Sequence, residues 1–249
     1  MDIIAARNLT VGYGTLEVLR DLDFRIPVAK ITAVVGTSGC GKSTLLKTLA
    51  GLIPPLTGEV FFEGNQVDYL SEASLVSLFR GIGVLYQDGA LLNNLDLFEN
   101  VALPVRMHHE DMPEAVLKEM VHDRLAQVEL IDSAAKYPSE LSGGMRKRGA
   151  LARALIMDPA VVLCDEPSGG LDPITSNHLD ALLLKIKETF RTTFVVVTHE
   201  LRSIQRIADR VLILNEGRLH FSGSLPEVMG SEDGFVRTFF LRKVDHDDT

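Results

Sequence analysis

Apolar residues along this 249-residue chain change their spacing from one region to the next, and the spacing predicts the elements. Residues 3–11 and 18–26 carry β-branched and large apolar side chains on either side of the turn-prone Gly12-Tyr13-Gly14, the pattern of two strands. Residues 31–35 are a continuous apolar run ending at Gly36, as a strand buried on both faces would be. A helix is predicted from Lys42 to about Ala50, stopped by Gly51 and the Pro54-Pro55 pair. Residues 58–63 and 82–87 are short strand candidates, with a helical stretch over 73–80 between them. From Phe98 to Met157 the period becomes helical. Within 113–130, Leu117, Val121, Leu125 and Val128 share one face, and Pro113 suits a first turn. Strand–helix alternation then resumes, with strands at 161–165, 194–198 and 211–215 and helices between them.

That alternation implies crossover helices and a mostly parallel sheet. The expected fold is α/β: a core with an antiparallel β lobe near the N-terminus and an inserted helical subdomain. One domain is expected over 1–249, with 1–87 and 158–249 forming the core and lobe and 88–157 the insertion. Residues 245–249 read as a loose polar tail.

Hydrophobic residues at 46% and charged residues at 24% fit a protein with a real core, which excludes disorder as the dominant state. Twenty-five Lys and Arg against 34 Asp and Glu leave a net charge of -9, which argues against a general nucleic-acid binder. A local anion site remains open, because backbone N–H groups bind phosphate whatever the overall charge. No apolar run approaches the roughly 18 residues of a spanning helix. The first residues lack the basic segment of a secretory signal, and the two cysteines, Cys40 and Cys164, point to a reducing compartment. The expected location is cytosolic.

The candidate chemistry begins with Gly36-Thr37-Ser38-Gly39-Cys40-Gly41-Lys42-Ser43, which fits G-x-x-x-x-G-K-[ST] between a buried strand and a helix start. Glycines let such a loop curl its N–H groups around phosphates. Lys42 is the candidate for the β- and γ-phosphates, Ser43 for Mg²⁺, and the helix N-terminus adds partial positive charge. A glycine-rich turn with an incidental lysine is the plainer alternative. Cys40 reads as a small filler within the loop, and Cys164 as packing. Farther on, Val161-Val162-Leu163-Cys164-Asp165-Glu166 is an apolar strand ending in two carboxylates. Asp165 is placed to hold magnesium and Glu166 to take a proton from an attacking water. A solvated turn before Pro167 is the bland reading of the same pair.

Leu141-Ser142-Gly143-Gly144-Met145, ahead of Arg146-Lys147-Arg148-Gly149-Ala150-Leu151-Ala152-Arg153, resembles the LSGGQ signature and following helix of ATP-binding-cassette (ABC) ATPases. Further matches fall in that family's order and cover nearly the whole chain. Tyr13 matches the adenine-stacking aromatic, Gln87 the Q-loop, Ser168-Gly169-Gly170-Leu171-Asp172 the D-loop and His199 the switch histidine. The resemblance implies a P-loop NTPase core and ATP hydrolysis with Mg²⁺. It assigns Gly36, Thr37, Ser38, Gly39, Cys40, Gly41, Lys42, Ser43 and Thr44 to the nucleotide, with Tyr13 on the adenine and Ser43, Asp165 and Gln87 on the metal. Glu166, His199 and Gln87 take the catalytic roles, and Asp172 that of the D-loop. It also implies a head-to-tail homodimer, in which Ser142, Gly143 and Gly144 meet ATP bound to the partner subunit.

A finer resemblance follows the Q-loop. Tyr86-Gln87-Asp88-Gly89-Ala90-Leu91-Leu92, Leu97-Phe98-Glu99-Asn100-Val101-Ala102-Leu103-Pro104, the Met of the signature and Gly170-Leu171-Asp172-Pro173-Ile174 look like the MlaF-type branch. Those ATPases serve Mla/Mce lipid transporters, with an MlaE-like integral permease, an Mce-domain lipid-binding protein and, in some members, a STAS-domain subunit. The implied place is the cytoplasmic side of the inner membrane, peripheral, with no nucleic-acid partner. Leu91, Leu92, Leu95, Leu97, Phe98 and Val101 are candidates for a groove receiving a permease's cytoplasmic helix; most also serve the helical lobe's own core. Two other readings stay open: an ABC motor for another cargo, such as an amino-acid importer, and a soluble ABC ATPase acting on DNA or ribosomes. The single cassette, the acidic charge and the short interval between Gly36 and Ser142 weigh against the last.

Overall fold

Alternating side chains along each strand must find two different partners, and two apolar layers supply them. The computed structural model describes residues 1–109 and 111–241. In chain order they form β1 (Asp2–Tyr13), β2 (Leu16–Pro27), β3 (Ile31–Gly36), α1 (Lys42–Leu49), β4 (Thr57–Phe62), β5 (Asn65–Gln66), α2 (Glu72–Gly81) and β6 (Ile82–Leu85). The helical segment holds α3 (Leu97–His108), α4 (Glu114–Gln127) and α5 (Gly143–Leu155). Then come β7 (Val161–Asp165), α6 (Pro173–Phe190), β8 (Thr193–Val197), α7 (Leu201–Ile207), β9 (Arg210–Asn215), β10 (Arg218–Ser224), α8 (Leu225–Met229) and α9 (Gly234–Leu241).

The strands make two sheets: an antiparallel lobe of order β2-β1-β4-β5, and a six-stranded sheet of order β10-β9-β3-β8-β7-β6. The second is parallel from β9 to β6, with β10 running antiparallel at its edge. On β7, Val161 and Leu163 face the β lobe and α1, whereas Val162 and Cys164 face α3, α4, α5 and α6. Val195 and Val197 against Phe194 and Val196 repeat this on β8. Burial on both faces makes these strands unbroken apolar runs in the sequence. The helices of 88–157 share their apolar cluster with the sheet, since Leu97, Val101, Leu117, Val121, Leu125 and Leu151 pack in one group with Leu85, Cys164 and Phe194.

Several boundaries differ from the sequence expectation. The β1–β2 turn is Gly14-Thr15, a two-residue connection that suits the twist of paired strands, so Tyr13 closes β1 opposite Leu16. β6 ends at Leu85, so Gln87 lies in the following turn, where the Gly89 N–H donates to the Tyr86 carbonyl at 2.8 Å. Pro113 is the N-cap of α4, and the helix stops at Gln127 because Glu129 turns to φ 58°. Beyond Asn215 the expectation had no elements, yet β10, α8 and α9 close a third apolar cluster with Val35, Ile204 and Ile213. The expected tail at 245–249 lies outside the described residues. Among the described residues, no helix is long and apolar enough to cross a membrane.

One carboxylate fixes the entry of the central strand. Asp209 accepts from the Ile31 N–H at 2.8 Å and pairs with Lys187 at 3.1 Å and Lys30 at 3.2 Å. Burial alone would raise its pKa, but the Ile31 N–H and the two lysines outweigh burial and hold it below the usual carboxylate range. A depressed folded-state value stabilises the fold above the unfolded value of about 3.9 and loses that effect as pH falls through the folded value. Asp209→Asn is therefore expected to lower stability by about 1–3 kcal/mol at pH 7, with the gap to wild type narrowing as pH drops below about 4. Urea melts at neutral and acid pH read this out, and a gap that does not change with pH speaks against it.

Candidate active site

The loop between β3 and α1 is shaped by approaches that only glycine allows. A Cβ at Gly36 would lie 2.2 Å from the Leu214 carbonyl oxygen on β9, and Gly41, at φ 103°, would drive one to 2.5 Å from Leu19 Cδ2 on β2. Gly41 is also the N-cap of α1 and offers it no side chain, which leaves the helix's first N–H groups available to an anion. Thr37, Ser38 and Gly39 are exposed at the loop's edge, whereas Cys40 and Thr44 are buried beneath it. Lys42 Nζ donates to the carbonyls of Gly36 at 3.1 Å and Thr37 at 2.9 Å, and lies 3.8 Å from Cys40 Sγ. The arrangement offers backbone donors, a helix terminus and an ammonium to one anion. Tyr13 stands half-exposed at the tip of the β1–β2 hairpin, whose Val18 and Leu19 touch Gly41.

Asp165 ends β7 beside this loop. Its carboxyl is pushed up by burial and by the Glu166 charge, against the nearby Ser43 hydroxyl, Lys47 and Lys42, which lower it. A half-buried carboxylate with too little positive charge around it, next to a hydroxyl oxygen, suits a hard divalent cation. Among the described residues no group of three or more His, Cys, Asp or Glu could hold a metal by itself.

Glu166 follows in a left-handed conformation, φ 46°, with its N–H donating to the Val197 carbonyl at the end of β8 (2.8 Å). Its Oε1 meets His199 Nδ1 at 2.8 Å, while its buried Oε2 has no hydrogen-bond partner among the described residues. A carboxylate with one oxygen oriented by imidazole and the other unmet can accept a proton from water. Asp165, Glu166 and His199 thus converge on the carboxyl ends of β7 and β8, on the side of the sheet where the β3–α1 loop lies. Gln87 is exposed just past β6, the next strand in the sheet.

The signature segment packs elsewhere in the chain. Ser142 caps α5 by accepting from the Met145 N–H at 3.2 Å, which leaves its hydroxyl hydrogen free to donate. Gly143 and Gly144 pack on the start of α6, where a Cβ on Gly144 would come 2.4 Å from Thr175 Cγ2. Asp172 spends its carboxylate on its own helix, accepting from the N–H groups of Ile174 and Thr175 at 3.0 Å each and from the Thr175 hydroxyl.

Three residues near the site escaped the sequence reading. Lys147 Nζ donates to the carbonyls of Glu166 (3.0 Å) and Gly169 (2.6 Å), and Arg153 donates to those of Ala90 (2.7 Å) and Gly89 (2.9 Å). Asn100 is fully buried, accepting from the Leu92 N–H at 2.7 Å and donating to the carbonyls of Leu92, Leu95 and Asp96. Of the six candidates for a helix-receiving groove, Leu97 and Val101 are fully buried core; Leu91, Leu95 and Phe98 are partly buried and Leu92 is exposed.

Comparison with known proteins adds identity to this geometry. The ABC transporter family matches residues 19–169. An intermembrane phospholipid transport system ATP-binding protein, MlaF of Haemophilus influenzae, is 37% identical over 98% of this chain and 92% of its own length. A probable ribonucleotide transport ATP-binding protein, mkl of Mycobacterium tuberculosis, is 36% identical over 95% of this chain, and a methionine import ATP-binding protein, MetN of Latilactobacillus sakei, 38% over 91%. The chain spans 66% and 65% of those last two proteins' own lengths. A dimeric, post-hydrolysis ATP-binding cassette bound to ADP and Pi superposes with a TM-score of 0.81 at 30% identity, covering 89% of this chain and 98% of that one. The chain belongs to the ABC transporter family, as an ATP-binding cassette with the family's ATPase fold.

Proposed function

We propose that this chain is the ATP-hydrolysing motor subunit of a transporter that moves phospholipids between inner and outer membranes, of the Mla/Mce kind. What carries the reading is likeness to an MlaF protein that extends over 98% of this chain and nearly all of that protein, taken with the MlaF-like segments after Gln87 and at the signature. Two copies assemble head to tail around two ATP molecules. In each site the N–H groups of Gly36 to Thr44 cradle the phosphates, Lys42 takes the β- and γ-phosphates and Tyr13 stacks on adenine. Ser142, Gly143 and Gly144 of the other copy close over the γ-phosphate, with Asp172 in the loop at the interface. Ser43, Asp165 and Gln87 hold Mg²⁺, which supplies charge neutralisation on the phosphates. Glu166 takes the proton of the attacking water, and His199, bonded to Glu166, contacts the γ-phosphate side. Residues 88–157 act as the subdomain that carries the signature toward the partner's nucleotide.

The partners in this reading are an MlaE-like permease and an Mce-domain protein, joined in some members of that branch by a STAS-domain subunit, with the cassette peripheral at the cytoplasmic side of the inner membrane and no nucleic acid involved. Affinity capture of the tagged full chain from native membranes should bring down a permease and an Mce-domain protein. A second reading, a cassette for another cargo, has the methionine-import relative as its observation. Capture of an amino-acid permease without an Mce-domain protein overturns the first reading in favour of the second.

A further inference from the structure

We propose that Lys147 is a positioning residue for hydrolysis: it ties the signature helix to the backbone of the general base and the D-loop. The inference rests on the reading of Glu166 as that base. Only 6% of Lys147 is exposed, and its Nζ bridges the Glu166 carbonyl at 3.0 Å and the Gly169 carbonyl at 2.6 Å. A lysine is seldom buried without a carboxylate partner, yet here its hydrogen bonds go to two backbone oxygens, while the charges of Glu200, Asp88 and Glu166 act on it from three loops. Those loops follow β8, β6 and β7, so the ammonium sits where the three strand ends meet the signature helix.

The backbone it holds needs holding. Glu166 has φ 46°, a left-handed conformation that is strained for a non-glycine residue and persists where surrounding bonds over-determine it. Its N–H is fixed to Val197, and its carbonyl accepts from both Lys147 and the Gly169 N–H at 3.1 Å. The direction of the Glu166 side chain, and so the aim of its unpartnered Oε2, follows from that backbone. Ser142, the N-cap of the same helix, stands five residues before Lys147, about 7.5 Å along the axis. A shift of α5 as Ser142 engages the partner's nucleotide would therefore move the carbonyl of this chain's own base. Lys147 thus links the closing of one composite site to the geometry of the other.

Lys147→Met keeps the apolar stem and removes the donor; Lys147→Gln restores two amide hydrogens without the charge. In the full chain, in the assembly that gives wild-type turnover, Lys147→Met should lower kcat about 10-fold while the dissociation constant for ATP, measured separately, stays within about twofold. Lys147→Gln should regain most of the rate. Glu166→Gln is assayed alongside. Wild-type kcat in Lys147→Met with an inactive Glu166→Gln overturns the role of Lys147 alone. Joint loss of ATP binding and turnover that Lys147→Gln does not repair assigns Lys147 to stability and also overturns it. Wild-type turnover in Glu166→Gln removes the base itself, and this inference with it.

Discussion

Glu166→Gln should bind ATP as well as wild type and hydrolyse it about 10²- to 10⁴-fold more slowly, the range for removal of a general base. The substitution is close to isosteric, and the backbone bonds of residue 166 to Val197, Gly169 and Lys147 do not depend on the side chain. The carboxylate oxygen at 2.8 Å from His199 Nδ1 becomes an amide atom, and the unpartnered Oε2 position no longer offers an anionic proton acceptor. Binding should not weaken, because Glu166 is one of the charges that push the neighbouring Asp165 carboxyl up. Its neutralisation favours the ionised Asp165 that a cation needs. Blocked chemistry with intact binding leaves ATP bridging two subunits, so a dimer should accumulate in ATP and not in ADP. Phosphate release, an ATP titration and size-exclusion chromatography separate these effects, and wild-type turnover would remove Glu166 from the mechanism.

How much of this site could be read in the sequence follows from where each group gets its partner. Lys42, Ser43, Asp165 and Glu166 lie at strand or helix ends that hydrophobic spacing and glycine placement already mark, so their convergence follows once β3 and β7 run parallel on either side of β8. The six-stranded order does not follow from spacing, since β7 and β8 lie between β6 and β3 only after long crossovers. Lys147 and Arg153 sit in a basic helix that looks like a solvated face. Their partners are backbone carbonyls of other segments, and a carbonyl has no identity in a sequence. The buried Asn100 escaped for the same reason, since its bonds fold a loop back on itself. The missed α8 is a different case: Ser224 and Glu227 form a reciprocal cap with Pro226 in the first turn, a signal present in the residues themselves. A strand as plain as β10, with few β-branched residues and alternating exposure, becomes a strand because β9 offers it an edge.

Lys42→Ala should fail at the step that Glu166→Gln passes. The ammonium is the one side-chain cation in the phosphate loop, and hydrogen bonds from a charged donor are worth about 1.5–3 kcal/mol. Its loss should weaken ATP binding about 10- to 100-fold, at roughly 1.4 kcal/mol for each factor of ten. The fold should tolerate the change: Lys42 opens α1, where alanine is a strong helix former, and Leu45, Leu46 and Leu49 remain to bury the helix against the β lobe. Without nucleotide, the bonds from Lys42 to the Gly36 and Thr37 carbonyls also disappear. Those carbonyls can turn to water, so the nucleotide-free melting temperature should move little while the stabilisation added by ATP largely vanishes. A titration that returns the wild-type dissociation constant would break the assignment of the loop's cation to phosphate. The paired phenotypes also test the division of labour across the sheet edge: the β3–α1 loop supplies affinity, and the ends of β7 and β8 supply the reaction. A Lys42 variant that binds normally and stalls after binding would place chemistry where the structure offers only a cradle.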